Sequence, residues 1–241
     1  MDEAVRQDLL AKTRRALDAA DWDADGDSAW QTVERLWQPW VNQDDAEAEF
    51  QLAYHYLRCT PCEDDATCDR MKALVRKAAA KDHPDAIWFL ATRRTHSRAT
   101  DSEFERELLR AGLLGSVNAQ RDLGVTYATG EWSGPKDLTE AARWYRLAAE
   151  KGHAASQYDL GFMLLLGEGV SKHIEEGLQW IERAGSQGEY AAFRLLVDCY
   201  ANGICDAPVD LGKAAFWRGR WRNTSACIHR RHAAVTLPRK E

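Results

Sequence analysis

No stretch of this 241-residue chain approaches the roughly 18 uninterrupted apolar residues that a membrane-crossing helix needs. The N-terminal sequence MDEAVRQDLL lacks the basic-then-apolar order of a secretory leader. The expectation is a cytoplasmic chain, or a periplasmic one if a leader has been removed. A basic excess is also missing: 32 Lys and Arg against 38 Asp and Glu leave a net charge of −6. That argues against a nucleic-acid partner, because neutralising phosphates needs a basic surface. There is no G-x-S-x-G, no H-E-x-x-H and no phosphate-binding Gly-rich loop. Catalysis therefore has no candidate constellation, no cofactor is expected, and the reading is of a non-enzyme. Strand-like alternation is nearly absent, which excludes a sheet-built core.

What remains is a chain that is 45% hydrophobic and 29% charged, a balance able to bury a substantial core. The charge is uneven. Acidic residues crowd Asp18 to Asp27, Asp44 to Glu49 and Glu63 to Asp69, and basic ones gather at Arg218, Arg220, Arg222, Arg230, Arg231, Arg239 and Lys240. Such runs are either solvated faces or a gradient that orients a partner during encounter.

An internal repeat organises the second half. Leu123-Gly124, Leu160-Gly161 and Leu196-Val197 lie 37 and 36 residues apart, and Gly130, Gly167 and Gly203 repeat the same intervals. Trp144, Trp180 and Trp217 follow at 36 and 37. A small residue stands four before each leucine, at Ala119, Ser156 and Ala192, and the pair recurs earlier as Ala86 with Leu90 and Ala48 with Leu52. Tyr56 takes the slot of Tyr127 and Tyr200, and the run from Lys72 resembles the one from Arg146. Five copies result, and each reads as two helices, because Ala, Leu and aromatic residues recur at spacings of three and four. Gly167 and Gly169 end first helices; Gly152 and Gly188 end second ones. Pro61, Pro84, Pro135 and Pro208 all fall in the expected loops. Gly124, Ala148 and Ala149 would let paired helices approach closely, and Trp144 and Trp180 would fill the space between hairpins. A single hairpin cannot cover its own apolar face, so neighbours must stack. Ahead of the repeats, Asp2 to Ala20 and Ser28 to Trp37 read as two amphipathic helices, with Trp30, Val33, Leu36, Trp37 and Trp40 on one apolar face. The residues from Asn223 onward read as a short helix and a basic tail.

The pattern A-x-x-x-L-G-x-x-Y-x-x-G, a loop, then A-x-x-W-Y-x-x-A-A-x-x-G, carried by Ala119 to Gly152 and again in altered form by Ser156 to Gly188, resembles the Sel-one-like repeat, a TPR-related family. The clear resemblance covers Asn118 to Trp221 and a weaker form reaches back to Ala46. It implies an all-α, right-handed α-solenoid of about five helix-turn-helix repeats, acting as a scaffold or adaptor for other proteins. The expected organisation is N-terminal capping helices over 1–45, the repeats over 46–222 and a basic tail over 223–241. Val197 in place of Gly, Ser225 where a closing Gly belongs, and the charged stretch Arg93 to Asp101 depart from the pattern.

First helices of such hairpins line the concave surface. Counting five and two residues before each leucine, and two after it, predicts a partner-binding groove of Glu47, Phe50, Tyr54, Asp85, Trp88, Thr92, Asn118, Arg121, Val125, Tyr158, Phe162, Arg194 and Asp198. Its aromatics would be either core residues or contact anchors. The partner is another protein. A narrower version is an immunity protein that masks a cognate toxin, with the acidic N-terminal half facing a basic toxin surface.

The cysteines form two groups, Cys59, Cys62 and Cys68 near one end and Cys199, Cys205 and Cys227 near the other. C-x5-C occurs at Cys62/Cys68 and Cys199/Cys205, so reduced thiols, disulfides at these positions, or zinc on His55, Cys59, Cys62 and Cys68 are all open. The last option, or a redox role for Cys59-Thr-Pro-Cys62, would make the segment a metal or redox module. Asp21-x-Asp23-x-Asp25-Gly26-Asp27 has the start of a calcium loop, but Thr32 stands where the bidentate Glu belongs, so it reads better as an acidic linker with Asp27 or Ser28 capping a helix. His153, in the turn after a closing Gly, reads as a surface residue.

Overall fold

The computed structural model describes residues 1–19, 26–59, 65–93, 101–130 and 135–233, the side chains of 26–28, 58–59, 65, 101 and 223–233 excepted. Among these residues there are twelve α-helices and no strand. They gather into two compact units, Met1–Ala119 and Gln120–Glu241. The first unit holds α1 (Glu3–Asp18), α2 (Gly26–Val41), α3 (Ala46–Cys59), α4 (Asp65–Ala80), α5 (Pro84–Arg93) and α6 (Asp101–Leu113). α7 (Val117–Thr129) begins there and continues into the second unit, followed by α8 (Leu138–Glu150), α9 (Ala154–Leu166), α10 (Ile174–Ser186), α11 (Tyr190–Asn202) and α12 (Leu211–Ala233).

One turn is used five times to pass from an even-numbered helix to the next odd one. The backbone N–H groups of Asp45, His83, Ser116, His153 and Glu189 donate to the carbonyls of Trp40, Ala78, Ala111, Ala148 and Ala184, five residues back, at 2.9 to 3.2 Å. This is the helix-ending bond that requires a left-handed residue in between. Gly115, Gly152 and Gly188 supply it at φ 103, 91 and 95, whereas Asp44 and Asp82 supply it at φ 64 and 60. Aspartate tolerates that region better than most side chains, so the turn survives where the glycine does not. α2 is joined to α3 by the same turn, so the recurring connection begins ahead of the sequence repeats.

Within the second unit a second contact recurs. The N–H groups of Asp137, His173 and Asp210 donate to the carbonyls of Tyr127, Leu164 and Tyr200 at 2.8 to 2.9 Å, clasping each loop onto its own first helix. Asp137 also caps α8, its carboxylate accepting from Thr139 and Glu140. The helices then pack through small residues: Ala148, Ala149 and Ala184 are fully or nearly fully buried, and Gly124 lies under the Tyr145 ring. Trp180 of α10 shares a core with Ala141, Ala142, Tyr145 and Ala149 of α8. Trp217 of α12 likewise rests on Gly185 of α10, its ring 6.1 Å from that of Phe193. Trp144 is equally buried. Trp180 and Trp217 each bury a large apolar area between successive hairpins.

The first unit has its own core. Val33, Trp37, Leu52, Met71, Val75 and Ala78 are closed to solvent, and the buried Trp37 indole donates to the Thr13 hydroxyl at 2.8 Å. Three details differ from the sequence reading. Pro84 is the first residue of α5 rather than a loop residue, a place where its missing N–H is one of the unbonded four anyway. Pro39 sits inside α2. The short helix expected from Asn223 onward is not separate but the continuation of α12, which runs from Leu211 to Ala233.

Candidate partner-binding face

Along α9 the burial pattern is a single stripe. Ser156, Gln157, Leu160, Gly161, Met163, Leu164 and Leu165 are buried, while Ala155, Tyr158, Asp159 and Phe162 are partly exposed. These four lie at i, i+3, i+4 and i+7, the spacing of one helical face. The same register applies on either side. In α7 it exposes Arg121, Asp122 and Val125 in part, and in α11 Ala191, Arg194, Leu195 and Asp198, with Arg194 the most open. The three stripes are electrostatic neighbours, because Asp159 feels both Arg121 and Glu189, the residue capping α11. All six sequence-predicted positions of this unit, Arg121, Val125, Tyr158, Phe162, Arg194 and Asp198, belong to it. The counting rule missed the fourth member of each stripe, the residue immediately before the leucine, and with it Asp122 and Asp159. Full helical periodicity would have found them.

The chemistry of this face is mixed apolar and charged. The Tyr158 and Phe162 rings stack at 6.2 Å with an interplanar angle of 10°. Tyr158 also packs on the core beneath, and burial together with the charges of Asp159 and Glu189 pushes its hydroxyl up. Arg121 meets Asp122 at 3.3 Å. Burial pushes the Asp159 carboxyl up to about 6 against the opposing pull of Arg121. His153 is not a bare surface residue: its Nδ1 accepts the Ser156 N–H at 3.2 Å and caps α9. That role needs a neutral ring, and burial holds its pKa below the ordinary value.

In the first unit the predicted residues are engaged inside the fold. Glu47 pairs with Arg6 at 3.1 Å and His83 at 3.0 Å. Burial works against its charge, yet the hydrogen bonds from His83 and Gln51 and the charge of Arg6 hold its pKa down to about 2. Phe50 is a core residue, only 3% exposed, in a ring cluster with Tyr54, His83 and Phe89. Trp88 is half-buried and packs against the same core. Asp85 accepts from the Ser116 hydroxyl at 2.5 Å, the Thr92 hydroxyl turns back to the Trp88 carbonyl at 3.1 Å, and Asn118 is half-buried.

The acidic run from Asp44 to Glu49 is likewise not a free surface. Glu49 is fully buried and pairs with Lys77 at 2.7 Å and Lys81 at 3.0 Å, and Asp44 joins both lysines. These charges are matched within the fold.

Cys68 is buried and held in a disulfide, whose partner lies outside the described side chains. A disulfide sulfur is not a thiolate, so the zinc set of His55, Cys59, Cys62 and Cys68 is not available as a four-ligand site; Cys59 and Cys62 themselves lie outside the described side chains. Cys199 and Cys205 are free thiols, so the second C-x5-C pair is not bridged. Burial pushes the Cys199 thiol up to about 12. The calcium-loop segment from Asp21 to Asp27 falls outside the described side chains.

Stacked helical hairpins, joined by one recurring turn and presenting a partly exposed stripe of first-helix side chains, define a repeat protein of the solenoid class. The Sel1 repeat model matches residues 46–58, 117–153, 154–189 and 190–217. The matched stretches are Sel1 repeats. The match leaves α4, α5 and α6 uncovered, the stretch in which Asp82 replaces the turn glycine. The chain is 30% identical over 95 residues to chitin synthase regulatory factor 2 of Schizosaccharomyces pombe; this spans 39% of the chain and 19% of that relative. Among solved structures, it is similar to a Sel1 repeat protein from Oxalobacter formigenes, with a TM-score of 0.67 and 23% identity over 92% of this chain and 91% of that one. It is also similar to immunity protein Pa5087 from Pseudomonas aeruginosa, with a TM-score of 0.57 and 18% identity over 94% and 84% of the two chains. No helix among the described residues is long and apolar enough to cross a membrane.

Proposed function

We propose that this chain is a non-enzymatic adaptor that grips a partner protein on the first-helix face of its second unit. The observation carrying this reading is the stripe through Arg121, Tyr158, Asp159, Phe162, Arg194 and Asp198, where stacked rings and charged groups stand together partly exposed. Aromatic side chains beside charges are the composition of contact anchors, since they bury much area at small entropic cost. The presence of repeats of a kind used for protein interaction supports the same reading, as does the relative described as a regulatory factor of chitin synthase. The matching of Asp44, Glu47 and Glu49 inside the first unit turns attention away from the acidic N-terminal half.

The test is affinity purification from the native cell with wild-type chain and with a Phe162→Ala, Arg194→Ala double variant. The same protein should co-purify with wild type and be lost with the variant while the variant's melting temperature is kept. Retention by the variant would contradict the reading. A narrower version, an immunity protein for a cognate toxin, draws on the likeness of fold to Pa5087. Protection of cells from a toxin encoded next to this chain, lost with the same variant, would support it.

A further inference from the structure

The face just described holds charges that the fold leaves without a partner, and Asp159 is the one beside the stacked rings. Asp159 sits in the middle of the α9 stripe, half-buried, and accepts no hydrogen bond from any described residue. The nearest favourable charge, Arg121, is already in contact with Asp122 at 3.3 Å, and Glu189 opposes Asp159 from the other side. The face as a whole carries four carboxylates, Asp122, Asp159, Glu189 and Asp198, against two guanidinium groups, Arg121 and Arg194. A half-buried carboxylate without a donor is costly to keep, and the usual remedy is a cation that brings hydrogen bonds with it.

The surroundings narrow the choice of cation. Next to Asp159 on the same helix stand the parallel rings of Tyr158 and Phe162. A planar guanidinium can stack on such rings and still offer paired N–H donors to a carboxylate; an ammonium is compact, strongly hydrated and lacks that flat face. We propose that this face receives an arginine side chain of the partner protein, its guanidinium on Asp159 and its flat surface or stem against Tyr158 and Phe162. The inference rests on the partner-binding reading and gives that partner a chemical signature: an exposed arginine within an otherwise apolar segment.

The experiment uses the full chain as bait for a display library of random twelve-residue peptides. A selected peptide is then titrated by calorimetry against wild type, Asp159→Asn, Phe162→Ala and Tyr158→Ala. The selected sequences should share an arginine, and Asp159→Asn should weaken the peptide about tenfold, the worth of a hydrogen bond to a charged group. Replacing that arginine by lysine should weaken it severalfold, and thermal melts should show each variant folded. An empty selection, peptides without arginine, or an unchanged affinity with Asp159→Asn each overturn the inference. If Phe162→Ala and Tyr158→Ala abolish binding while Asp159→Asn does not, the face stands and the arginine falls. If no variant of the stripe matters, both fall.

Discussion

Gly161 of α9 and Gly177 of α10 face each other so closely that a methyl group on either would stand 2.7 to 2.8 Å from the other's carbonyl oxygen. An added methyl would ordinarily stabilise a helix by up to about 1 kcal/mol; here it meets backbone that cannot step aside. Gly161→Ala should therefore destabilise the second unit by about 2 kcal/mol, as overpacking does. Chemical denaturation with a tryptophan fluorescence readout measures it. A gain in stability would mean that the helices separate freely.

Glu49 tests the electrostatics of the first unit. Its carboxylate is fully buried between Lys77 and Lys81, and Asp44 closes the group from the solvent side. Glu49→Ala should cost about 2 kcal/mol, because the buried carboxylate's charge-assisted bonds to Lys77 and Lys81 are lost while Asp44 still pairs with both lysines. The exposed pair Lys12–Asp8, at 2.6 Å on one helix, is the control: Asp8→Ala should change stability by less than about 0.5 kcal/mol.

The repeat, its hairpins and the buried tryptophans were legible because the second unit writes them with glycine and tryptophan, residues whose roles are narrow. Gly152 and Gly188 mark turns that hardly any other residue type makes so readily. Asp44 and Asp82 make the same turn, but aspartate occurs in many settings, so the turn cannot be read from it. The face was legible in half. Arg121, Tyr158 and Phe162 follow from the leucine register, while Asp122 and Asp159 demanded the complete i, i+3, i+4, i+7 stripe. In the first unit the same register named Phe50 and Glu47, which the fold spends on its own ring cluster and ion pairs. Pairing across 36 residues, as between Glu47 and His83, has no local signature in the chain.

Trp88 and Phe162 occupy predicted groove positions and should behave oppositely. Trp88 packs on the core of the first unit, so Trp88→Ala should destabilise it by about 2 to 3 kcal/mol and lower the melting temperature by several degrees. Phe162→Ala should leave the melting temperature nearly unchanged and weaken partner binding. Differential scanning calorimetry beside a binding titration separates the two outcomes.

The fold pushes Asp159 up to about 6 from an ordinary 3.8, so it holds the proton more tightly than the unfolded chain does. The stability contributed by that proton is complete below pH 3.8 and is lost as pH rises through about 6. Asp159→Asn should accordingly stabilise the chain by the order of 1 kcal/mol at pH 7.5, with the difference closing below pH 4. Melting curves of both proteins across that range report it. A stabilising effect that does not vary with pH would assign the gain to something other than the charge.

Hydrogen–deuterium exchange of the chain, free and bound to its co-purified partner, is the most direct measurement. Gripping by the first-helix face predicts new protection in α7, α9 and α11, centred on the segments around Arg121, Tyr158 and Arg194. Protection confined to α8, α10 and α12, or to the first unit alone, would contradict it.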